Sequence, residues 1–154
     1  MPKGKNMQTE VKIKKLRAGA VIPEYATAGS AALDLRCAAE EAIIIPAHSR
    51  AAIPTGIAIA PSDSSVVAIV CARSGLATKH GIALANGVGV IDSDYRGEIL
   101  VSMINNSDAD FKIEPGDRVA QLMFMPVLTA KLIECEKLDS TERGAGGFGS
   151  TGVR

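Results

Sequence analysis

A run near the middle of the chain, Asn86-Gly87-Val88-Gly89-Val90-Ile91-Asp92-Ser93-Asp94-Tyr95-Arg96-Gly97, holds the residue types with the most chemistry to offer. Its apolar part leads straight into two carboxylates, a phenol and a glycine, the pattern of a strand feeding a polar hairpin tip. A carboxylate held at a strand end beside an apolar wall can have its pKa tuned and can take a proton from water. Asp92 is therefore the candidate base. Asp and Gly also shape turns through local hydrogen bonds and positive φ, so this run alone leaves both readings open.

Two further places carry chemistry. Ala72-Arg73-Ser74-Gly75 follows the apolar Val66 to Cys71 and opens Ser74 to His80, the only segment expected to be helical, with Ser74 available as its cap. A helix start behind an arginine suits an anion, because backbone N–H groups and the helix dipole both favour negative charge. The tail from Arg143 has five glycines in the nine residues 144–152 and cannot build a core element. Its literal GxGxxG match lacks the strand-turn-helix context of a dinucleotide fingerprint. Arg143, Phe148, Ser150 and Thr151 are nevertheless a kit for closing over a nucleotide, with a ring to stack on a base and donors for phosphate oxygens.

The elements that must position these groups are strands. In 154 residues, 47% are hydrophobic but only 3% aromatic, so the core must come from Ile, Val, Leu and Ala, which leans toward sheet. Short apolar segments stop at Pro46, Pro54 and Pro61, an all-β rhythm. Strands are expected at 11–16, around 31–37, at 43–45, 50–53, 56–60, 66–71, 98–104 and 118–127, with a last one at 130–138. Pro115-Gly116 fits the middle of a type II turn. Ile99 to Ile104 put apolar groups on both faces, which predicts self-association. Residues 1–138 are expected as one β domain and 139–154 as a flexible arm, with no internal repeat.

Lys plus Arg and Asp plus Glu balance at 17 each, which removes any general electrostatic case for nucleic acid or an anionic membrane as partner. Cys37, Cys71 and Cys135 have neither disulfide nor zinc spacing. His48 and His80 stand beside no nucleophile or second ligand and are expected to be structural or surface residues. Met1 to Gln8 has no apolar leader and no run approaches ~18 apolar residues, so a soluble, cytoplasmic protein is expected.

Five separated stretches, in order, resemble the trimeric deoxyuridine triphosphatase (dUTPase) family over nearly the whole chain: Ala31-Ala32-Leu33-Asp34-Leu35, Arg73-Ser74-Gly75-Leu76-Ala77, Gly89 through Gly97, Pro115-Gly116-Asp117-Arg118-Val119-Ala120-Gln121-Leu122, and the glycine-rich tail. The resemblance implies a jelly-roll-like β-barrel, a homotrimer with shared active sites, and hydrolysis of dUTP to dUMP and pyrophosphate. Such an activity limits uracil in DNA and supplies dUMP for thymidylate synthesis. The third stretch of one subunit would face the first, second and fourth of another, with the tail of the third laid on top.

Carried over residue by residue, Asp92 resembles the base that activates water for attack on the α-phosphorus. Tyr95 would lie beneath the deoxyribose and exclude a 2′-hydroxyl. Asn86, with Gly89 and the neighbouring backbone, would read the uracil edge. Ser74, Gly75 and Gln121 would meet the phosphates, with Arg73 in the same wall more as its support than as a contact. Arg143, Phe148, Gly149, Ser150 and Thr151 would close over the nucleotide. Asp34 would hold Mg²⁺ through water, the ion being bound mainly by the triphosphate. Ala32 stands where glycine is common in the family and Ala72 where proline is usual; both shape backbone, not chemistry. Two alternatives share these features: a dCTP deaminase-like enzyme of the same fold, and a regulatory module that binds dUTP as a signal.

Overall fold

The computed structural model describes residues 8–147. Among them the chain forms β1 (Val11–Lys15), β2 (Leu33–Arg36), β3 (Ile43–Ile45), β4 (Arg50–Pro54), β5 (Ile57–Pro61), β6 (Val66–Cys71), α1 (Ser74–His80), β7 (Ile82–Leu84), β8 (Gly89–Ile91), β9 (Leu100–Asn105), β10 (Phe111–Ile113) and β11 (Arg118–Pro126). The strands pair antiparallel into four sheets, ordered β1-β5, β10-β3, β2-β11-β6-β8 and β4-β9-β7. The all-β expectation with one short helix holds. Aliphatic side chains fill the centre, with Leu35, Ile45, Ile53, Ile57, Ile82 and Ile99 almost wholly buried.

The four-stranded sheet positions most of the chemistry, and its register sorts side chains between two faces. Leu35 lies opposite Ala120, and Leu122 opposite Val70; all four are buried and point inward. Because successive side chains alternate, the row Asp34–Gln121–Cys71 must face outward. So must the row Met123–Ile69–Val90, which leaves Val90 59% exposed. The outer face is thus polar at one end and uncovered and apolar along the rest.

Three expectations need correction. Residues 130–138 form no strand; after Val127, whose N–H donates to the Ser65 carbonyl (2.8 Å), the chain leaves the body, with Leu128 95% and Leu132 92% exposed. The segment carries apolar residues, but among the described residues no neighbouring strand takes up its hydrogen bonds. Residues 92–97 are not a hairpin tip: β8 pairs with β6, while β9 pairs with β4 and β7, so the turn carries the chain between sheets. Hairpin and inter-sheet turns use the same residue types, and only the pairing separates them. The N-cap of α1 is Arg73, without a side-chain cap bond, and Ser74 is its first residue. On β9, Val101, Met103 and Asn105 are buried on one face while Leu100 on the other is exposed, in keeping with apolar residues on both of its faces.

The three-residue β7 and β10 went unforeseen because so short a strand shows no measurable period. His48 and His80 behave as expected: His48 Nε2 lies 2.9 Å from Asp108, and the His80 ring packs 5.2 Å from Phe111.

Candidate active site

Asp34 is held firmly. Its carboxylate accepts from Arg118 Nη1 (3.1 Å), with Arg73 Nε at 3.6 Å, and its side chain is only 14% exposed. Arg73 also donates to the Arg118 carbonyl (3.1 Å), so β2, β11 and the start of α1 are tied together at this end of the sheet. Gln121 is the direct cross-strand neighbour of Asp34. Ser74 and Gly75, both exposed, open the helix; its first intrahelical bond runs from Ala77 N–H to the Arg73 carbonyl (3.0 Å), so the earlier N–H groups face outward for an acceptor. A cleft of about 320 Å³ beside Asp34 is lined by Tyr25, Arg36 and Arg118 among others. Arg118 escaped the sequence reading because its closeness to Asp34 is set by strand register, which no local spacing records.

Asp92 stands elsewhere. Ile91, the last residue of β8, lies opposite Ala68 of β6, and Asp92 follows it off the strand end. From there to the Cys71 row is four residues along the strands, about 13 Å at ~3.3 Å per residue. Asp92 is exposed, and its carboxylate has no hydrogen-bond partner among the described residues; its carbonyl accepts from Tyr95 N–H (3.1 Å). Together with Tyr95, Glu98 and Leu100 it lines an open cleft of about 190 Å³.

Within this turn Tyr95 bends back, its hydroxyl donating to the Glu98 carbonyl (3.0 Å). The ring lies so close over Gly97 that a Cβ there would meet Tyr95 Cζ at 2.6 Å, so the glycine is required for the ring to lie where it does. The Glu98 carboxylate takes Arg17 Nε and Nη2 at 2.8 and 2.9 Å and the Gly56 N–H at 2.9 Å. Hydrogen bonding to Arg17 holds this carboxyl below the usual value of 4.5. The sequence offered no sign of this clamp, since Arg17 and Glu98 are far apart along the chain.

Asn86 is exposed on the turn between β7 and β8 and does not line the Asp92 cleft; Gly89 lies opposite Val70. Arg143 donates to the Gly146 carbonyl (3.0 Å) in a turn of the arm and, among the described residues, hydrogen-bonds no other predicted site residue. Phe148, Gly149, Ser150 and Thr151 lie outside the described residues. One chain therefore gathers Asp34, Arg73, Ser74, Gly75 and Gln121 at one end of a sheet and Asp92 with Tyr95 at the other. Larger openings of about 670 and 500 Å³, beside Phe124 and Gln8 to Glu10, hold none of the predicted residues.

Comparison with known proteins bears on how these halves work. The dUTPase family model matches residues 18–152. The chain is 52% identical to the deoxyuridine 5′-triphosphate nucleotidohydrolase of Desulfitobacterium hafniense over 132 residues, covering 86% of this chain and 87% of the relative. It is 48% identical over 147 residues to the enzyme of that name from Tolumonas auensis, covering 94% and 97%. Among solved structures, the dUTPase of Staphylococcus bacteriophage 80alpha with dUPNHPP superposes with a TM-score of 0.85 at 26% identity, covering 94% of this chain and 99% of that one. The chain belongs to the dUTPase family.

Proposed function

We propose that this protein hydrolyses dUTP to dUMP and pyrophosphate in sites shared between copies of a homotrimer. The observation that carries the reading is the split site: Asp92 and the Asp34–Gln121 row sit at opposite ends of the β2-β11-β6-β8 sheet. A second copy laid on that sheet's outer face would cover Ile69, Met123 and Val90 while bringing its own Asp92 to the polar end. A closed ring of three such heterologous contacts satisfies every copy.

In this arrangement Asp92 accepts a proton from water as that water attacks the α-phosphorus, and pyrophosphate leaves. Having no hydrogen-bond partner among the described residues, its carboxylate is available for that water. Tyr95, folded back onto Gly97, presents a ring surface to the deoxyribose and selects against a 2′-hydroxyl by lack of room. Asn86, with Gly89 and the nearby backbone, reads the uracil edge, where a cytosine would leave buried polar groups unpaired. Ser74, Gly75 and Gln121 donate to phosphate oxygens, with Arg73 bracing that wall through Asp34 and the Arg118 carbonyl. Residues 139–154 act as a separate arm, whose Arg143, Phe148, Gly149, Ser150 and Thr151 close over the nucleotide.

Mg²⁺ fits this donor set as a companion of the substrate. Among the described residues no three His, Cys, Asp or Glu side chains gather into a protein-only cage. A hard ion that keeps its waters and takes phosphate oxygens needs only one or two carboxylates, and Asp34 supplies one. When bound, the ion neutralises charge on the triphosphate. Asp34 would hold it through water, since both its oxygens are already engaged by arginines.

The decisive assay is pyrophosphate release from dUTP, dCTP, dTTP and UTP side by side, with and without Mg²⁺. Release from dUTP alone, dependent on Mg²⁺, is expected. Ammonia release from dCTP without pyrophosphate from dUTP would replace this reading with deamination, and dUTP binding without turnover would replace it with a signalling module.

A further inference from the structure

The Asp92–Tyr95 turn is braced from behind by residues that no part of the proposed reaction uses. Glu98 is fixed at both ends: its side chain by Arg17 and the Gly56 N–H, its backbone by the Tyr95 hydroxyl. The next residue continues the brace, as Ile99 N–H donates to the Ile57 carbonyl (2.9 Å) and the Thr55 hydroxyl donates to the Ile99 carbonyl (2.6 Å). Arg17 is itself delivered by β1, whose successor Leu16 donates its N–H to the Gly56 carbonyl (2.7 Å). Gly56 can sit between them only as glycine: its φ is +69°, and a Cβ would stand 2.7 Å from that of Ala20.

The pair is costly to explain by stability. Arg17 is 46% exposed, and ion pairs with so exposed a member contribute little to folding. What a two-pronged guanidinium–carboxylate contact does supply is fixed geometry, which a single-point contact does not. This geometry reaches Tyr95 through its hydroxyl, which donates to the Glu98 carbonyl.

We propose that the Arg17–Glu98 pair is a positioning element that sets the depth of the Tyr95 ring, and through it the preference for deoxyribose over ribose. The inference rests on the dUTP-hydrolysing reading. Glu98→Gln keeps an acceptor for Gly56 but loses the charged fork, and Arg17→Lys keeps the charge but loses the second prong. In either variant the side-chain anchor of Glu98 is loosened and the carbonyl that holds the phenol keeps only the backbone bond of its own peptide group, Ile99 N–H to Ile57, so the ring gains room to recede and space for a 2′-hydroxyl opens.

The test is kcat/KM for dUTP and for UTP in the full-length protein, comparing wild type with Glu98→Gln, Arg17→Lys and a core control, Ile45→Val, with Tm measured for each. The expected result is a fall of about tenfold in the dUTP-to-UTP ratio for both clamp variants, through a lower KM for UTP, while kcat on dUTP stays within about threefold. Ile45→Val should lower Tm and leave the ratio alone. Clamp variants that lose Tm but keep the wild-type ratio would overturn the proposal and make the pair purely structural. Should Glu98→Gln not fold, Arg17→Lys, which leaves the carboxylate and its Gly56 bond, decides alone. A wild type that cannot hydrolyse dUTP would sink the functional reading and this inference together; a selective wild type beside unchanged variants sinks this inference only.

Discussion

Asp34 and Asp92 are both site carboxylates on one sheet, yet the fold treats them in opposite ways. Asp34 is mostly buried and faces two arginines; Asp92 is exposed and unpartnered among the described residues. A paired acid is fixed in place, whereas an unpaired one is open to a ligand but must be brought to its target. In the proposed reaction this difference assigns Asp34 to the binding wall and Asp92 to the chemistry, the two meeting only between copies.

The sharpest way to break this comparison is Asp92→Asn. It should lower kcat by about 10²–10⁴ with KM nearly unchanged, because only the base is removed. Mixing sharpens it further. Asp92→Asn and the double variant Ser74→Ala/Gln121→Ala, each inactive alone, should regain activity when unfolded and reassembled together. Random mixing of two chains at a shared site restores about one quarter of the sites. A site contained within one chain would restore none, so a mixture that stays silent would place Asp92 and the phosphate wall in the same subunit.

Next in size is the arm. Ending the chain after Leu138 should preserve assembly, measured by sedimentation, yet cost about tenfold or more in turnover, since closure excludes water and commits the substrate. An undiminished rate would remove the arm from the site. Asp34→Asn comes third. It leaves Arg73 and Arg118 without their counter-charge and should cost about 1–3 kcal/mol in urea unfolding, besides weakening Mg²⁺-dependent binding of a non-hydrolysable dUTP analogue. By contrast Asp92→Asn should change unfolding by less than ~0.5 kcal/mol, as expected for an exposed side chain without partners.

Asp92 stood out in the sequence on its residues alone and Asp34 only through the family resemblance, and neither showed the environment that the fold gives it. The Asp92 run announced itself because an apolar strand ends on carboxylates, and the β11 stretch because Pro115-Gly116 marks where it begins. What local pattern could not carry was register. That Asp34 meets Gln121, that Arg118 reaches back to Asp34, and that β8 pairs with β6 in place of β9 are all long-range pairings. The expected strand at 130–138 failed for a related reason: apolar residues show that a segment can be a strand, not that a neighbour exists within the same chain.

The smallest effect concerns a third acid, Glu98, which lies a few residues from Asp92 but behaves like Asp34. The Arg17 hydrogen bond lowers its pKa below 4.5, with burial opposing and the Gly56 N–H assisting. A carboxyl whose folded pKa is depressed contributes stability that is fully present above its unfolded pKa and is lost as pH falls through the folded one. Wild-type protein should therefore lose stability progressively as pH drops below about 4.5, in part through this group. Glu98→Gln starts slightly less stable at pH 7 and lacks that component, so the two unfolding midpoints should converge in acid. Asp63, lowered by its hydrogen bonds to Ser65, titrates equally in both proteins and cancels from the difference. A gap between wild type and variant that stays constant from pH 7 to pH 3 would mean that the charge on Glu98 is not what Arg17 holds, and the turn carrying Asp92 would then owe its position to packing on Gly97 alone.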